Sequence, residues 1–354
     1  MNQEVLMRIF LIVMTTFIFV AIIVPFIKKI AFHVEAVDIP DKRKVHTKPM
    51  PRLGGLGIYG GFLLGYMLFG QHSETMNSIL IGSFIIILTG VVDDIKPLKA
   101  STKFIGQVIA ALVVVFYGNI VLKDVSAFGF YINFDILSYP VTIIFILGCV
   151  NCMNLIDGLD GLASGISAIY FLTIGIIATI NGSVGLDFVL TFVMLGSTLG
   201  FLVHNFYPAS IFMGDSGSMF LGFIIAVIAL LGFKNVTMTS LVIPLLILSI
   251  PILDTLFAII RRVLKGESIS TPDKFHIHHQ FLNRNFSQRT TVLIIYLINC
   301  LFSVASIVYV LKNRELGYII YGILLFIVII FVLKTNIIFD HNIDIKKKNK
   351  KKRK

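Results

Sequence analysis

The sequence predicts an all-α, polytopic membrane protein with about 11 transmembrane helices, its N-terminus outside and its C-terminus in the cytoplasm. Of the 354 residues, 56% are hydrophobic and only 14% are charged, and the mean hydropathy is +0.92. Soluble domains carry about 25% charged residues. Apolar runs near the ~20 residues that cross a bilayer core as a helix recur along the chain. The distribution of Lys and Arg between these runs predicts the orientation.

The apolar runs define the predicted spans in chain order. They cover about 5–27, 53–70, 78–92, 104–118, 138–153, 161–180, 186–203, 216–233, 239–260, 291–311 and 318–335. Strand-length alternation is not found, which argues against a β-barrel. The first run has no small-residue cleavage site and is predicted to be an anchor rather than a removed signal. We therefore predict a single transmembrane domain over 1–335 and a basic cytoplasmic tail over 336–354.

Positive charges set the predicted orientation. The segments that would share one membrane face contain 25 of the 30 Lys and Arg, and they are 28–52, 93–103, 151–160, 204–215, 261–290 and 334–354. Cytoplasmic loops are enriched in Lys and Arg, so this face is predicted to be cytoplasmic. Without the eight basic residues of 346–354, the bias is still 17 against 5. The net charge of +11 then fits anionic lipid head groups better than nucleic acid, and a multi-pass cell-membrane location follows.

Glycines at the second span have two interpretations. Gly57, Gly61 and Gly65 recur every four residues, which is typical of close helix packing in lipid. No strand precedes them, so a nucleotide loop is not indicated. Gly54 and Gly55, at the membrane entrance, could serve packing or shape a loop for substrate approach, and the sequence leaves both open.

Two further features favour a structural role. Cys149 and Cys152 form a C-x-x-C without the βαβ unit or second ligand pair that redox or metal chemistry needs, so packing is favoured. Asp254 lies inside the ninth span, where a carboxylate is costly. Arg261, two helical turns further on, could pair with it structurally, although a role of Asp254 in a functional site stays open.

Four polar clusters carry the predicted chemistry. They are Asp93 and Asp94; Asn154, Asp157 and Asp160 of NLIDGLDG; Asp215 of GDSGS; and His276, His278 and His279 of HIHH. The orientation inferred from Lys and Arg alone places all four on the cytoplasmic side. Carboxylates suit Mg²⁺, which is commonly held by one or two of them together with substrate phosphates. Nearby Lys48, Arg52, Lys99 and Lys103 suit an anionic substrate.

Other functions explain these clusters less well. A prenyl-synthase D-D-x-x-D motif lacks its third Asp, since Pro97 stands there. The H-x-H-H spacing alone is weak support for a zinc site. A transporter or lipid flippase would need ionisable residues near the midplane, where Asp254 is almost the only one. A scaffold that recruits partners through the basic tail would not explain the carboxylates.

Five blocks in order, covering nearly the whole chain from about Asp38, resemble the polyprenyl-phosphate N-acetylhexosamine-1-phosphate transferases. The blocks are PDKRKVHTKPMPRLGG, VVDD, NLIDGLDG, GDSGS and HIHH. The resemblance implies that a polyprenyl phosphate attacks the β-phosphorus of a UDP-N-acetylhexosamine. UMP leaves, and a polyprenyl-diphosphate sugar remains. It also implies a requirement for Mg²⁺, with Mn²⁺ as a substitute.

The resemblance also implies a role for each matching residue. Asp215 corresponds to a direct Mg²⁺ ligand with Asn154 beside it, and Asp93 and Asp94 to the pair at the lipid phosphate and the metal. Lys103 corresponds to a phosphate-contacting lysine, and Lys48 belongs to the basic substrate entrance. Asp157 and Asp160 correspond to the nucleotide pocket. His276, His278 and His279 correspond to a loop that faces the diphosphate or the sugar.

The histidine block also points to a branch of the family. The peptidoglycan translocases tend to have three consecutive histidines, whereas Ile277 interrupts them here. With the PRLGG entrance, this favours UDP-GlcNAc over UDP-MurNAc-pentapeptide, with undecaprenyl phosphate as acceptor. Initiation of wall teichoic acid, or of another cell-surface glycan, is the expected pathway. Direct attack is favoured because a phosphate monoester is mostly dianionic at neutral pH; a base or covalent role for Asp93, and a homodimer, stay open.

Overall fold

The computed structural model describes residues 3–40, 48–127, 130–234, 242–266, 276–311 and 314–334. The predicted basic tail lies outside these residues, as do parts of two predicted cytoplasmic loops. The helices are α1 Gln3–His33, α2 Gly55–Phe69, α3 Glu74–Ile95, α4 Ala100–Leu112, α5 Ser138–Ile156, α6 Leu162–Ile180, α7 Leu186–Asn205, α8 Gly214–Lys234, α9 Val242–Ile247, α10 Ser249–Leu264, α11 Ile277–Leu282, α12 Gln288–Val310 and α13 Arg314–Leu333. A π-helical turn, Val113–Tyr117, continues α4, and a 3₁₀ turn, Asp135–Leu137, precedes α5.

The prediction of a helical, polytopic membrane protein is confirmed. Within the described residues, eight helical segments are long and apolar enough to cross a bilayer. They are Gln3–His33, Glu74–Ile95, Ala100–Tyr117, Asp135–Ile156, Leu162–Ile180, Leu186–Asn205, Gly214–Gly232 and Gln288–Val310. Two more predicted spans correspond to the shorter apolar helices Gly55–Phe69 and Glu315–Ile330. The total of eleven and the orientation stay predictions.

The ninth predicted span, 239–260, is not one continuous helix. It contains α9 and α10, which are separated at Leu248. Pro251 has no N–H to donate to the carbonyl of Ile247, and its ring crowds that carbonyl, so the helical ladder is interrupted just before it. The Ser249 hydroxyl bonds to the carbonyl of Leu246 at this break. After the break α10 forms a separate helix, and this helix carries Asp254.

Two short antiparallel strand pairs interrupt the otherwise helical chain. Strands β1 (Val37–Asp38) and β2 (Met50–Pro51) pair ahead of α2. Strands β3 (Asp124–Ala127) and β4 (Phe130–Asn133) form a hairpin between α4 and α5. The first pair holds the segment that leads to Arg52, since the Arg52 amide donates to the carbonyl of Ala36 over 3.1 Å. The sequence did not predict either pair, because two to four residues give too short an alternation to read.

Helix α8 lies at the centre of the bundle and packs against α2, α3 and α5. Glycines, which have no side chain, permit two close helix crossings at its first turn. A Cβ at Gly55 would overlap the backbone of Gly217, and a Cβ at Gly90 would overlap the backbone of Ser216. Helices α2 and α3 therefore approach the start of α8 at backbone contact distance.

The glycine face of α2 has the packing role that its spacing predicted. A Cβ at Gly57 would meet Val24 of α1 at 2.7 Å, and one at Gly65 would meet Val193 of α7 at 2.6 Å. Gly61 lies between them, against Val20. Cys149 is a free and buried thiol, in keeping with its interpretation as a packing residue.

Candidate active site

The four predicted polar clusters meet at one end of the bundle. Asp93 and Asp94 lie in the last turn of α3, Asn154 in the last turn of α5, and Asp215 in the first turn of α8. Residues more than 100 positions apart in the chain are in direct contact here, such as Asp94 with Asp215 and Lys103 with Asp215. The sequence prediction that these clusters share one face is therefore confirmed.

Asp94 caps the start of α8. Its Oδ1 accepts the backbone N–H of Asp215 over 2.8 Å, and its Oδ2 accepts the N–H and the hydroxyl of Ser216 over 3.1 and 2.7 Å. The first N–H groups of a helix lack partners within it, and an anion there is also favoured by the helix dipole. Both oxygens of Asp94 thus accept hydrogen bonds from the protein, so Asp94 positions the start of α8; its predicted place at the lipid phosphate and the metal stays a prediction.

Gly214 makes this contact between Asp94 and α8 possible. Its φ of +74° lies in the region that favours glycine. A Cβ at this position would also overlap the Asp94 carboxylate and the Arg52 carbonyl. The Gly-Asp-Ser order of GDSGS therefore has a geometric reason.

Arg52 links three carboxylates. Its guanidinium lies 3.1 Å from Asp94 Oδ1, 3.5 Å from Asp215 Oδ1 and 3.8 Å from Asp38 Oδ1. Burial alone would lower the pKa of Arg52, but Asp94 and Asp215 outweigh burial and raise it. The guanidinium is therefore a permanent positive charge beside the acidic cluster.

Lys103 joins the other side of the same cluster. Its Nζ lies 2.8 Å from Asp215 Oδ2 and 3.4 Å from Asp93 Oδ2. The second oxygen of Asp93 accepts the N–H of Leu98 over 2.7 Å. Asp93 and Asp215 thus share one positive charge between them, and each keeps part of its acceptor capacity.

The carboxylates of this cluster suit Mg²⁺ only together with the substrate. Within the described residues, no group of three or more His, Cys, Asp or Glu side chains could hold a metal by itself. Mg²⁺ is, however, commonly bound by one or two carboxylates together with substrate phosphates. Asp93 and Asp215 converge on a single cation, the Lys103 ammonium, so the residues fit a metal that substrate phosphates help to hold.

Asn154 completes this part of the site. Its amide N–H donates to Ser218 Oγ over 2.9 Å, and the Ser218 hydroxyl donates to the carbonyl of Gly214 over 3.1 Å. The serine hydrogen is therefore committed, which fixes the orientation of the Asn154 amide. Within the part of the chain that the structure describes, its carbonyl oxygen has no hydrogen-bond donor, as the predicted role beside a metal ligand requires.

A cavity of about 900 Å³ opens beside Asp215 and Asn154, within the range of about 300–1,000 Å³ of small-molecule sites. Its wall combines carboxylates, basic residues, histidines and apolar residues. Among the sequence-predicted residues, its lining includes Lys48, Asn154, Asp157, Asp160, Asp215, His278 and His279. Asp93, Asp94, Lys103 and His276 are not among the residues that line it.

Two carboxylates of the loop between α5 and α6 contribute differently to this cavity. Burial, followed by the nearby charges of Asp215 and Asp94, raises the pKa of Asp157 to about 7. Asp160 Oδ2 accepts the N–H of Ala209 over 2.9 Å, so it holds the loop between α7 and α8. The N–H and the hydroxyl of Ser210 both donate to the carbonyl of His204, which secures the same loop.

The histidine block forms the short helix α11. His276 Nδ1 donates to Asp254 Oδ2 over 2.8 Å, and the N–H of Ile277 donates to Asp254 Oδ1 over 2.7 Å. The ring of His278 lies against Gly158, where a Cβ would be 2.6 Å from Nε2. Burial, followed by His279 and His276, lowers the pKa of His278 well below its ordinary value. His278 is therefore neutral at physiological pH.

Sequence reasoning missed two organising residues. Arg52 was noted only as a nearby positive charge, yet it connects three carboxylates. For Asp254, structural pairing with Arg261 was favoured and a role in a functional site was left open; the structure shows Asp254 bonded to the first residues of the histidine helix. An intramembrane carboxylate was a signal for Asp254, but only the break at Leu248 and the position of His276 identify its partner.

The chain is similar to several known membrane-lipid glycosyl phosphate transferases. The sequence profile of glycosyl transferase family 4 matches residues 76–233. A probable undecaprenyl-phosphate N-acetylglucosaminyl 1-phosphate transferase of Bacillus subtilis is 45% identical, over 94% of this chain and 92% of the relative. A decaprenyl-phosphate N-acetylglucosaminephosphotransferase of Mycobacterium tuberculosis is 34% identical, over 77% and 75%. An undecaprenyl-phosphate alpha-N-acetylglucosaminyl 1-phosphate transferase of Escherichia coli K12 is 26% identical, over 79% and 78%.

Proposed function

The chain belongs to the polyprenyl-phosphate N-acetylglucosamine-1-phosphate transferases of glycosyl transferase family 4, and on this premise we propose that it transfers N-acetylglucosamine 1-phosphate from UDP-GlcNAc to undecaprenyl phosphate. The products are undecaprenyl-diphosphate-GlcNAc and UMP. The relative that is 45% identical is named for this acceptor and this sugar phosphate. The enzyme is a multi-pass membrane transferase.

One observation carries the proposal. Asp93 and Asp215 converge on the Lys103 ammonium, with Arg52 on the far side of Asp215, and Asp215 and Arg52 line a cavity of about 900 Å³. Alternating carboxylates and cations suit a reaction in which two anionic phosphates must approach each other.

The reaction requires little activation of its nucleophile. The second pKa of a phosphate monoester is about 6, so the acceptor phosphate is mostly dianionic at neutral pH. One of its oxygens forms a bond to the β-phosphorus of the donor, and the bridging oxygen leaves with UMP. The larger barrier is electrostatic repulsion, and positioned positive charge lowers it.

The residues around the cavity divide this work. Lys103 and Arg52 supply fixed positive charge for the phosphates, and Asp94 positions the first turn of α8. Asp215 and Asn154 would hold Mg²⁺ or Mn²⁺, with Asp93 beside them. When bound, the metal would neutralise charge on the transferring diphosphate. The neutral His278 and its neighbour His279 face the same cavity and suit hydrogen bonding to the diphosphate or the sugar.

The nucleotide is expected at the loop between α5 and α6. Asp157 and Asp160 both line the cavity there, on either side of Gly158, against which the His278 ring packs. Asp160 already accepts the N–H of Ala209, so it shapes the pocket as well as lining it. We propose further that this transfer is the first step in the synthesis of wall teichoic acid or of another cell-surface glycan. Formation of a homodimer by this chain stays a prediction.

The test is UMP release by the purified protein with undecaprenyl phosphate, UDP-GlcNAc and Mg²⁺. Asp215→Asn should lower kcat by about 10²–10³-fold, the usual loss when one electrostatic contact to a reacting phosphate is removed. Asp135→Asn is the matched control, because Asp135 is exposed and its φ of +45° suits asparagine. No UMP release by the wild type, with an active relative run in parallel, would refute the proposal.

Donor choice is tested by competition. UDP-GlcNAc and UDP-MurNAc-pentapeptide are supplied together, and the lipid products are separated. The proposal expects the GlcNAc product to predominate. A predominance of the pentapeptide product would instead assign the chain to the peptidoglycan branch of the family.

A further inference from the structure

The carboxylate of Asp254 makes two hydrogen bonds to the start of the histidine helix α11. One oxygen accepts from the ring of His276 over 2.8 Å, and the other accepts the N–H of Ile277 over 2.7 Å. Asp254 is 2% exposed and His276 is 6% exposed. A buried carboxylate is costly unless it is well paired, and here both of its oxygens bind the same short segment.

His276 differs from the two histidines that follow it. His278 and His279 line the cavity, whereas His276 does not. Its Nδ1 faces Asp254, and its ring lies parallel to that of His278, with the centroids 5.7 Å apart. The position of His276 is thus that of an attachment point rather than that of a group facing a substrate.

Two contacts hold the histidine helix in place. On one side Asp254 of α10 binds its first residues, and on the other Gly158 makes room for the His278 ring. Helix α11 has only six residues, Ile277–Leu282, and helices this short are not stable by themselves. Its orientation must therefore come from tertiary contacts such as these.

We propose that Asp254 is a positioning residue that latches His276, and thereby orients His278 and His279 toward the cavity. This inference rests on the proposed transferase function for its catalytic consequence, but the latch itself is a structural statement. It assigns His276 a role different from that of the other two histidines. The first histidine binds the protein, and the later two bind the substrate.

Side-chain substitutions separate a latch from a substrate contact. Asparagine at 276 places an amide nitrogen where Nδ1 lies and can still donate to Asp254, but it has no counterpart of Nε2. His276→Asn should therefore keep wild-type turnover, whereas His276→Ala and Asp254→Ala should lower it by about tenfold or more, the loss expected when one partner of a buried charged hydrogen bond is removed. His278→Asn should lower turnover, because His278 faces the cavity.

Hydrogen exchange measured by mass spectrometry supplies a readout that needs no activity. In Asp254→Ala and in His276→Ala, the amides of 277–282 should exchange about tenfold faster. The double variant should exchange no faster than Asp254→Ala, since Asp254→Ala already removes the bond to the His276 ring together with the bond to the Ile277 N–H. His276→Asn and the distant Asp135→Asn should keep wild-type exchange.

Three results would overturn the latch. One is unchanged exchange in Asp254→Ala. Another is a double variant whose effect is the sum of the two single effects. A third is His276→Asn with wild-type exchange but the turnover of His276→Ala, since the ring would then contact the substrate itself. If the wild type releases no UMP while the exchange results hold, the proposed function fails and the latch stands.

Discussion

Replacing Asp94 by asparagine should destabilise the protein, whereas the same replacement of the neighbouring Asp93 should change its stability little. The two carboxylates are adjacent in the chain but have different partners. Asp94 accepts from the backbone of Asp215, from Ser216 and from the guanidinium of Arg52. Asp93 accepts from one backbone amide and lies 3.4 Å from an ammonium.

The size of the difference follows from these contacts. Removing one charge from a buried ion pair costs about 3–5 kcal/mol. The Arg52 side chain is 23% exposed, so we take the lower end, about 3 kcal/mol. For Asp93→Asn the amide oxygen can still accept from Leu98, and the lost pair with a partly exposed lysine is worth about 1 kcal/mol or less. At about 2 °C per kcal/mol for a large chain, the apparent melting temperature should fall by about 6 °C and about 2 °C respectively.

The assay is circular dichroism of the helices during heating, with all variants scanned at one rate because unfolding of such proteins is often irreversible. The chain contains no tryptophan, so helix content is a more direct signal than intrinsic fluorescence. UMP release is measured on the same preparations and should fall in both variants. Equal melting temperatures for the two variants would show that Asp94 does not hold the start of α8, and would refute the capping argument.

Three further predictions concern the same cavity. Asp157→Asn should raise the melting temperature more at about pH 8 than at about pH 5. The pKa of Asp157 is about 7 in the folded chain and about 4 in the unfolded chain, so its proton stabilises the fold and is lost as the pH rises. A shift of the melting temperature that does not depend on pH would contradict this. Gly158→Ala should lower kcat/KM by about tenfold, since the new Cβ would lie 2.6 Å from His278 Nε2, whereas Gly148→Ala, with nothing within 4 Å, should be neutral; similar kinetics for both would argue against this close contact. Lys103→Met should lower the melting temperature in the presence of a chelator and enlarge the stabilisation by Mg²⁺, because Asp93 and Asp215 lose their shared ammonium; an unchanged Mg²⁺ effect would argue against a metal at these carboxylates.

Much of this architecture could be predicted because it depends on composition and charge along the chain. Apolar runs locate the membrane helices, and the Lys and Arg bias alone indicated that the polar clusters share one face. The contact between Asp94 and the start of α8 confirms that these two clusters lie together, although the residues are 121 positions apart. The break at Leu248 was missed because hydropathy averages over a window and does not register the hydrogen bond that Pro251 removes.

The detailed roles within the site could not be predicted in the same way. Motif matching placed Asp93 and Asp94 together, but the partners of each oxygen depend on how α3 meets α8. His276 was grouped with His278 and His279 because the three are close in sequence. Only the position of Asp254, on a helix whose start is set by a proline, distinguishes the first histidine from the others.

The close contacts of Gly55 with Gly217 and of Gly90 with Ser216 hold α2, α3 and α8 together at one end of the bundle. Bilayers of different thickness tilt membrane helices, and helices that touch at one end move most at the other. Because these crossings lie beside the acidic cluster, a change of tilt displaces the opposite ends of α2, α3 and α8 while the distances around Asp215 change least. A methyl group added at either glycine would overlap the backbone at the start of α8 and would force the helices apart beside Asp94 and Asp215.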